Sequence, residues 1–457
     1  MNESAPRCPS PLRVRSTAFH AIVGLAALAL PGHAQQRALI DLSPGLAEHR
    51  DAVVSPNGLW IAYRSGNQLG VMTIGGQNPV NVYQGAVSGG FVWATSSASL
   101  LLADSGTIYS TPRTGPSLTT LASFANQSVT IWDLDALGTK LYCTRYNPSN
   151  STYTAFELAT SGGSPARELF STQDEVFGLR IDPSGRYVFH LQRAPAPFSP
   201  IAGFRTDLNT TTTAAFGPSS LGTVVRDPDW LDAGDNVAVT AQDPVGRLSV
   251  VRIERIAQRM VPLSSGTLHQ RTSVSPDRRW ILCESVDGLG GNGPALFSND
   301  GGGEILLYTR EPFAWYGSLS MDAGSRYVVF SARRVNTTEN ARIFRLDLDR
   351  EMRASPYVAI GFPIALELPA TANELGVIFL GQRQAPFTLF AIDHDFDLGA
   401  NFAILTIALG GTSPITTTLP IPNDPLFAGL TIDFQGFRYD GVSSAAQFTR
   451  SGRFYIF

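Results

Sequence analysis

Short runs of β-forming residues alternate with turn residues along most of the chain, and one such pattern is repeated. Its clearest copy begins at Val53, where two valines lead into Ser55-Pro56-Asn57-Gly58 and the apolar run Trp60-Ile61-Ala62-Tyr63 follows. Proline fixes φ and Asn-Gly tolerates positive φ, so the pattern predicts a strand, a tight turn and a second strand.

Variants of this strand–turn–strand pattern recur along the chain. The further copies are Val92–Leu102, Leu134–Tyr142, Ile181–His190, Trp230–Val239, Val274–Cys283 and Ser320–Val329. Their turns are spaced by about 39 to 49 residues, which is the length of one four-stranded propeller blade. One blade cannot bury both faces of its sheet, so such repeats stack, and a ring leaves no open end. We therefore predict an all-β fold with a seven-bladed β-propeller.

The propeller is predicted to span residues 38–355. Its opening strand, Ala38–Leu42, precedes the first turn and is expected to pair with the last blade and close the ring. After residue 355 the repeated turn stops, but apolar strands continue, as in Phe387–Ile392 and Leu430–Phe434. Residues 356–457 are therefore predicted to form a small β-sandwich-like domain.

Residues 1–34 have the pattern of a signal peptide. Arg13 and Arg15 precede the apolar run Ala18–Leu30, and Gly32 and Ala34 supply the small residues of a cleavage site. The run is too short for a membrane span, and no other stretch approaches transmembrane length. We expect an exported protein, either periplasmic or extracellular.

The repeated turn also carries a family resemblance. Ser55-Pro56-Asn57-Gly58 with its following strand, and the copies at 182–189 and 275–282, resemble the TolB-type repeat of bacterial exported β-propellers. The resemblance implies the fold, but such repeats serve scaffolds, binding modules and the gating domains of peptidases. The proline-rich stretch Leu419–Leu430 is similar to a terminal β-sandwich module of many secreted bacterial proteins, which implies no reaction.

The amino-acid composition limits the classes of partner that the protein is expected to bind. Charged residues make up 16 % of the chain, the net charge is −4, and Lys140 is the single lysine among 34 Lys and Arg residues. Nothing forms a basic face, so no nucleic-acid partner is expected. We attribute the arginine excess to genomic bias.

Two cysteines remain beyond the leader, and neither is expected to form a disulfide. Cys143 and Cys283 occupy equivalent strand positions in blades on opposite sides of the predicted ring, so they are predicted to be buried and unbridged. His190 occupies the same position of its own repeat. It is interpreted as a structural histidine.

Motifs for hydrolase, zinc and phosphate chemistry are missing from the sequence. There is no Gly-x-Ser-x-Gly elbow, no His-Glu-x-x-His and no Cys-x-x-Cys. The acidic run Asp393–Gly399 has its glycine one position too late for a calcium loop and is interpreted as an alternating strand. No catalytic residue, metal or cofactor is predicted.

The candidate site follows from propeller topology. Ligands of propellers bind where the innermost strands begin, at the mouth of the central channel, and counting back seven or eight residues from each turn reaches those positions. The predicted ligand-binding residues are Arg50, Asp51, Arg226, Asp227, Arg271 and Tyr316, with Thr130, Phe177 and Gln270 at the same count. Loops that face water are also polar without binding anything, which is the alternative interpretation.

Two functions remain open. The first is a non-catalytic, monomeric exported scaffold that binds a protein, a peptide or an envelope glycan, with the terminal domain as an adaptor. The second is a propeller enzyme of the lactonase or lyase type with its site in the channel. The predicted mouth holds more arginine and aromatic residues than acids, which favours the first.

Overall fold

The computed structural model describes residues 39–456 except 44–46, 197–198, 243–246, 264–267, 277, 287–291, 300–302, 307–312, 323, 325, 335–339, 349–352, 355–359, 383–397, 399–401, 412–413, 428–429, 443–444 and 450–451. The predicted leader and the Asp393–Gly399 run (except Leu398) lie outside these residues. The predicted domain boundary at 355/356 lies outside them too. Among the residues described, no helix is both long and apolar enough to cross a membrane.

The chain folds as a β-propeller built from antiparallel sheets of consecutive strands. The described residues up to Asp347 contain seven such sheets, numbered here from the first. Strand β1 is Leu39–Asp41. Sheet 1 is β2–β5 (Arg50–Val54, Trp60–Ser65, Gln68–Thr73, Val80–Gln84), sheet 2 is β6–β9 (Phe91–Trp93, Ser99–Asp104, Thr107–Pro112, Thr119–Ser123), and sheet 3 is β10–β13 (Ser128–Leu134, Lys140–Asn147, Thr152–Ala159, Arg167–Thr172).

The later sheets follow the same order. Sheet 4 is β14–β17 (Glu175–Ile181, Tyr187–Arg193, Ile201–Asp207, Thr212–Ala215), sheet 5 is β18–β21 (Val225–Trp230, Asn236–Gln242, Leu248–Glu254, Arg259–Pro262), sheet 6 begins with β22–β25 (Leu268–Val274, Trp280–Val286, Asn292–Ser298, Gly303–Leu306), and sheet 7 holds β26–β28 (Phe313–Met321, Tyr327–Arg334, Arg342–Asp347). The first strands of neighbouring sheets contact each other, sheet 7 against sheet 1 included, and surround the channel.

The opening strand closes the ring, as predicted. Strand β1 pairs antiparallel with β28, and Leu39 lies opposite Leu346. Sheet 7 is thus completed by the first described residues of the chain. Closure of this kind removes the free edges that a row of sheets would expose.

Five of the seven repeated turns are fastened by the side chain of their first residue. Asp182 Oδ1 accepts the backbone N–H groups of Arg186 and Tyr187, at 2.8 and 2.7 Å. Asp135 and Asp322 do the same in sheets 3 and 7. The hydroxyl of Ser55 and that of Ser275 accept the corresponding N–H in sheets 1 and 6. This local capping is the physical reason for the Ser-Pro or Asp-Pro start of the repeat.

An aromatic residue follows several of these turns and packs against arginines. The Arg205 guanidinium lies 4.0 Å from the ring centre of Tyr187, and that of Arg345 lies 4.9 Å from Tyr327. Arg205 Nη1 also donates to the carbonyl of Gly234 in the next sheet. A planar guanidinium can stack and donate at once, whereas an ammonium cannot, so at least these arginines have a chemical role.

The strand position shared by Cys143, His190 and Cys283 is buried, as predicted. Both cysteine side chains are buried, with no exposed surface. His190 stacks on Phe170, with ring centres 4.2 Å apart, and Gln192 Nε2 lies 2.9 Å from its Nε2. Burial lowers the pKa of His190 to about 3, so the ring is neutral at physiological pH.

The C-terminal residues continue sheet 6 outwards. The strands are β29–β33 (Arg353–Ala354, Pro363–Leu368, Glu374–Gly381, Ala403–Leu409, Ile415–Pro420) and β34–β36 (Thr431–Asp440, Ala445–Phe448, Gly452–Tyr455), with a short 3-10 helix at Pro425–Phe427. Strand β36 pairs with β25, and the order continues through β34 and β31 to β32, with β35 also on β34.

A second layer covers this extension. Strands β29, β30 and β33 form a three-stranded sheet. Its Ile364 and Leu366 share one hydrophobic cluster with Phe434 of the extension and with Leu282 and Phe330 of sheets 6 and 7. The two-layered C-terminal region and the propeller therefore have a common core.

The turn cap generates the first testable prediction. Asp182→Ala removes the acceptor of two backbone N–H groups at a buried position, and we expect a loss of about 1–3 kcal/mol in the free energy of unfolding. Asp182→Ser should recover part of it, because Ser55 and Ser275 perform the same function. Urea midpoints of the three proteins test this. Equal midpoints for the Ala and Ser variants would contradict the capping role.

Candidate functional site

The residues predicted at the channel mouth occupy one repeated place in the innermost strands. Arg50 pairs with Arg64, Arg226 with Thr240, and Tyr316 with Ala332, and each is the last paired residue before a register shift. Phe177 and Gln270 precede the same shift in sheets 4 and 6. Five sheets therefore carry a one-residue β-bulge at the start of the strand that lines the channel.

The bulge has a distinct backbone conformation. Asp51 and Asp227 directly follow the last paired residue and have φ of 52° and 51°. Gly178 takes the same place in sheet 4, with φ 62°. A non-glycine residue seldom adopts positive φ, and bulges are frequent where a strand must redirect side chains. Arg271 follows Gln270 in sheet 6, but the side chains of Arg271 and Tyr316 lie outside what the structure describes.

The four described predicted side chains are charged, and each has an oppositely charged neighbour. The side chain of Arg50 forms an ion pair with Glu48, and that of Asp51 forms one with Arg64 of the adjacent strand. Arg64 Nη1 also donates to the carbonyl of Val87 at 3.0 Å, which ties this group to the loop before sheet 2. Asp51 therefore mainly holds the adjacent strand and the loop before sheet 2 in place, through Arg64.

Arg226 and Asp227 differ from that pair. Their nearest charged atoms are 3.8 Å apart, and the side chains are 42 % and 39 % exposed. A pair separated by this distance contributes little to stability. The partly exposed side chains place two opposite charges at the mouth.

A second ring lies deeper in the channel, and the sequence analysis did not identify it. Three of its members are charged: Asp133, Arg180 and Asp229. The full set at this register position is Val53, Val92, Asp133, Arg180, Asp229, Ser273 and Ser320. All seven are partly exposed, whereas their successors in the strand are mostly buried. Each lies two residues before the first residue of the repeated turn, so the turn spacing could have located them.

The side chains of this ring bind neighbouring sheets together. Ser320 Oγ accepts the backbone N–H of Val54 at 3.1 Å. Asp133 Oδ2 accepts that of Ile181 at 3.0 Å, and Asp229 Oδ2 that of Val274 at 2.8 Å. These bonds join sheets 7 to 1, 3 to 4 and 5 to 6.

Three other junctions use backbone carbonyls near the same level. Trp93 Nε1 donates to the carbonyl of Val53, and Trp230 Nε1 to that of Arg180, both at 3.0 Å. Between sheets 2 and 3, the backbone N–H of Ile131 donates to the carbonyl of Gly89 at 2.7 Å. Six successive junctions are therefore bridged at this depth of the channel.

The two ring carboxylates are held in a poorly solvated place. Burial raises the pKa of Asp133 to about 6, against the attraction of Arg180 and the backbone N–H groups that it accepts. Burial also raises the pKa of Asp229, again opposed by Arg180. In the described residues, no group of three or more His, Cys, Asp or Glu is placed to hold a metal ion.

Comparison with known proteins identifies the architecture. No known protein family matches the chain, and no curated protein does. An oligogalacturonate lyase in complex with manganese has 10 % identity and a TM-score of 0.56, covering 68 % of this chain and 92 % of its own. The likeness is one of fold: both are β-propellers.

Two further solved structures belong to the same comparison. A puromycin-hydrolyzing peptidase of Mycobacterium tuberculosis has 12 % identity and a TM-score of 0.53, covering 74 % of this chain and 60 % of its own. TolB of Acinetobacter baumannii has 15 % identity and a TM-score of 0.41, covering 65 % and 78 %. Identities this low assign no activity or partner to this propeller.

The bridge between sheets 7 and 1 is testable. Ser320→Ala leaves the buried N–H of Val54 without its acceptor, and we expect a loss of about 1–3 kcal/mol in unfolding free energy. Ser110→Ala is the matched control, since the Ser110 hydroxyl forms no hydrogen bond with the described residues. The urea midpoint is the measurement. A loss no larger than that of the control would show that this bond is dispensable.

The raised pKa of Asp133 predicts a pH dependence of stability. The folded pKa of about 6 exceeds the ordinary value of 3.8, so the folded protein binds more protons between these values and its stability falls as pH rises through them. Asp133→Asn should remove that component, of the order of 1–3 kcal/mol between pH 4 and pH 7.

The measurement is the difference in unfolding free energy between wild type and Asp133→Asn across that pH range. We expect the wild type to lose stability relative to the variant as pH rises, whatever the variant's absolute stability. A difference that stays constant with pH would show that Asp133 keeps an ordinary pKa.

Proposed function

We propose that this chain is an exported, TolB-type β-propeller that binds a protein or peptide segment at the mouth of its channel. The observation that carries the proposal is the bulge that recurs in five innermost strands, which in sheet 5 places the partly exposed side chains of Arg226 and Asp227 at the mouth. The leader-like sequence of residues 1–34 supports export.

The chemistry of the pair fits a peptide. A guanidinium donates several hydrogen bonds in a fixed plane and can bind a carboxylate or two backbone carbonyls, while Asp227 accepts from backbone N–H groups or cationic side chains. An extended peptide offers both kinds of partner. Phe177, at the same register in sheet 4, adds an apolar surface beside the guanidinium of Arg193.

Asp51 has a supporting part in this proposal. Its pairing with Arg64, and the bond from Arg64 to the carbonyl of Val87, hold the bulge of sheet 1 in a fixed geometry. A site that is fixed before the ligand arrives loses less conformational entropy on binding. An envelope glycan would use the same polar groups and is one outcome of the test.

The alternative, a lactonase-type or lyase-type enzyme, stays a prediction without a structural observation in its favour. Stoichiometric calcium or manganese in the purified protein would favour it. The binding role and the enzyme are thereby distinguished without knowledge of a substrate.

The binding role is tested with a phage-displayed library of random peptides, selected on the full-length mature protein. We expect enriched peptides whose binding weakens at least tenfold in Arg226→Ala, because the guanidinium contacts the ligand directly. The measurement is the dissociation constant of the enriched peptides by fluorescence anisotropy.

Arg186→Ala is the matched control. Arg186 also forms an exposed pair with a carboxylate, Asp207, but at the opposite end of its sheet, so the binding should be unchanged. Failure to enrich any peptide, or equal weakening in both variants, would overturn the proposal. Binding of soluble peptidoglycan fragments in place of peptides, with the same dependence on Arg226, would assign the mouth to a glycan.

A further inference from the structure

Two tyrosines lie in contact at the mouth end of sheet 3. Tyr146 and Tyr153 pair across β11 and β12, and their ring centres are 4.6 Å apart. Tyr146 lies opposite Ser128, the first residue of the innermost strand, which places the pair at the level of the mouth. Both side chains are partly exposed. Side chains alternate along a strand, and Tyr142 of β11 packs with Leu179 of sheet 4, so Tyr146 faces sheet 4 as well.

An ion pair of sheet 4 lies next to these tyrosines. Glu175 and Arg193 are opposite each other at the mouth end of β14 and β15 and form an ion pair whose side chains are partly exposed. The Arg193 guanidinium lies 5.8 Å from the ring centre of Phe177. Burial raises the pKa of Tyr153, the charge of Glu175 raises it further, and that of Arg193 opposes the rise. The ion pair and the tyrosine are therefore close enough to interact across the junction of sheets 3 and 4.

These groups form a continuous strip on the mouth side of the propeller. The strip consists of the tyrosine pair of sheet 3, Glu175, Phe177 and Arg193 of sheet 4, and Arg226 with Asp227 of sheet 5. Strand β12 contacts β14, and β14 contacts β18, so the three sheets adjoin along it. Its two arginines and two carboxylates carry charges that sum to zero. The strip thus combines aromatic rings with balanced charges.

This combination disfavours several of the common modes of peptide recognition. The strands reach the mouth with their ends, so a peptide that lies along the strip crosses them and cannot pair beside one as an added strand. An amphipathic helix requires an apolar groove, whereas the strip contains four charged side chains. Arginine clusters that bind phosphate groups require an excess of positive charge, whereas each arginine here has a carboxylate neighbour. The mode that remains is a polyproline II helix on aromatic side chains.

We propose that the strip binds a proline-containing peptide in the polyproline II conformation, with a proline ring against Tyr146 and Tyr153. The backbone of such a helix forms no internal hydrogen bonds, so its carbonyls can accept from tyrosine hydroxyls and guanidinium groups. Its extended conformation exists before binding, which limits the entropy lost in the complex. This inference rests on the proposed peptide-binding function and specifies the class of peptide.

Parallel selection from two phage-displayed libraries on the full-length mature protein tests the proposal. One library is random and the other has a fixed Pro-x-x-Pro core. We expect the second to yield the tighter binders, and we expect Tyr146→Ala or Tyr153→Ala to weaken them about tenfold, because aromatic anchors dominate such contacts. The measurement is the dissociation constant by fluorescence anisotropy.

Tyr109→Ala is the matched control. Tyr109 also lies in the third strand of its sheet and contacts a tyrosine, Tyr83, with ring centres 6.1 Å apart. Tyr83 belongs to the outermost strand of sheet 1, so this pair lies away from the mouth. The control variant should bind the selected peptides as the wild type does. Equal weakening by Tyr109→Ala and Tyr146→Ala would overturn the proposal.

Substitutions in the peptide supply a second measurement that does not depend on the stability of a protein variant. Replacing the two core prolines by alanine should weaken binding to the wild type about tenfold, and an unchanged dissociation constant would overturn the inference. Enriched peptides that depend on Arg226 but contain no proline would also overturn it, while leaving the proposed function intact. Failure of both libraries to yield a binder would overturn the proposed function and this inference with it.

Discussion

The β-propeller depends on hydrogen bonds that cross six of the seven junctions between its sheets at one depth of the channel. Apolar packing between sheets is strong but non-directional, so it does not by itself fix how far one sheet slides against its neighbour. The bonds from Ser320, Asp133 and Asp229 to backbone N–H groups, with the indole bonds of Trp93 and Trp230, supply that direction. They also satisfy buried backbone groups that would otherwise be costly. The bulges at the mouth lie immediately above this level, so the geometry of the candidate site is set by the same bonds.

The positions of the sheets could be predicted because the hydrogen bonds that form most of the turns are between residues close in the sequence. The capping side chain lies four or five residues from the N–H groups that it accepts, as Asp182 does, so the whole turn is encoded in one short stretch. Sheet 2 shows the limit of that signal: its turn begins with Ala94, whose side chain has no acceptor, and only the spacing of the repeat identified this turn. The pairing of β36 with β25 was not predictable, because the residues that it joins, such as Gly303 and Phe454, lie far apart in the sequence. Edge pairing of that kind has no local signature.

The candidate site was partly predictable for a related reason. The distance from the turn back to the bulge is constant in five sheets, so counting reached Arg50, Arg226 and Tyr316. The deeper ring was missed because its residues differ in type, from Val92 to Arg180, although their position repeats. Partners across the sheet were also hidden from the sequence: only the structure shows that Asp51 forms an ion pair with Arg64, while Asp227 lies 3.8 Å from Arg226 of its own strand.

The strands of sheet 6 are hydrogen-bonded without interruption from the innermost strand of the propeller, β22, to β32 of the C-terminal region. Truncation near residue 355 would remove β36, expose the outer edge of β25 and remove Phe434 and Ile364 from the core that they share with Leu282 and Phe330. A propeller truncated in this way would expose a sheet edge and apolar side chains and would therefore tend to aggregate. Fusion partners or surface tethers are better grafted beyond the tail than substituted for it.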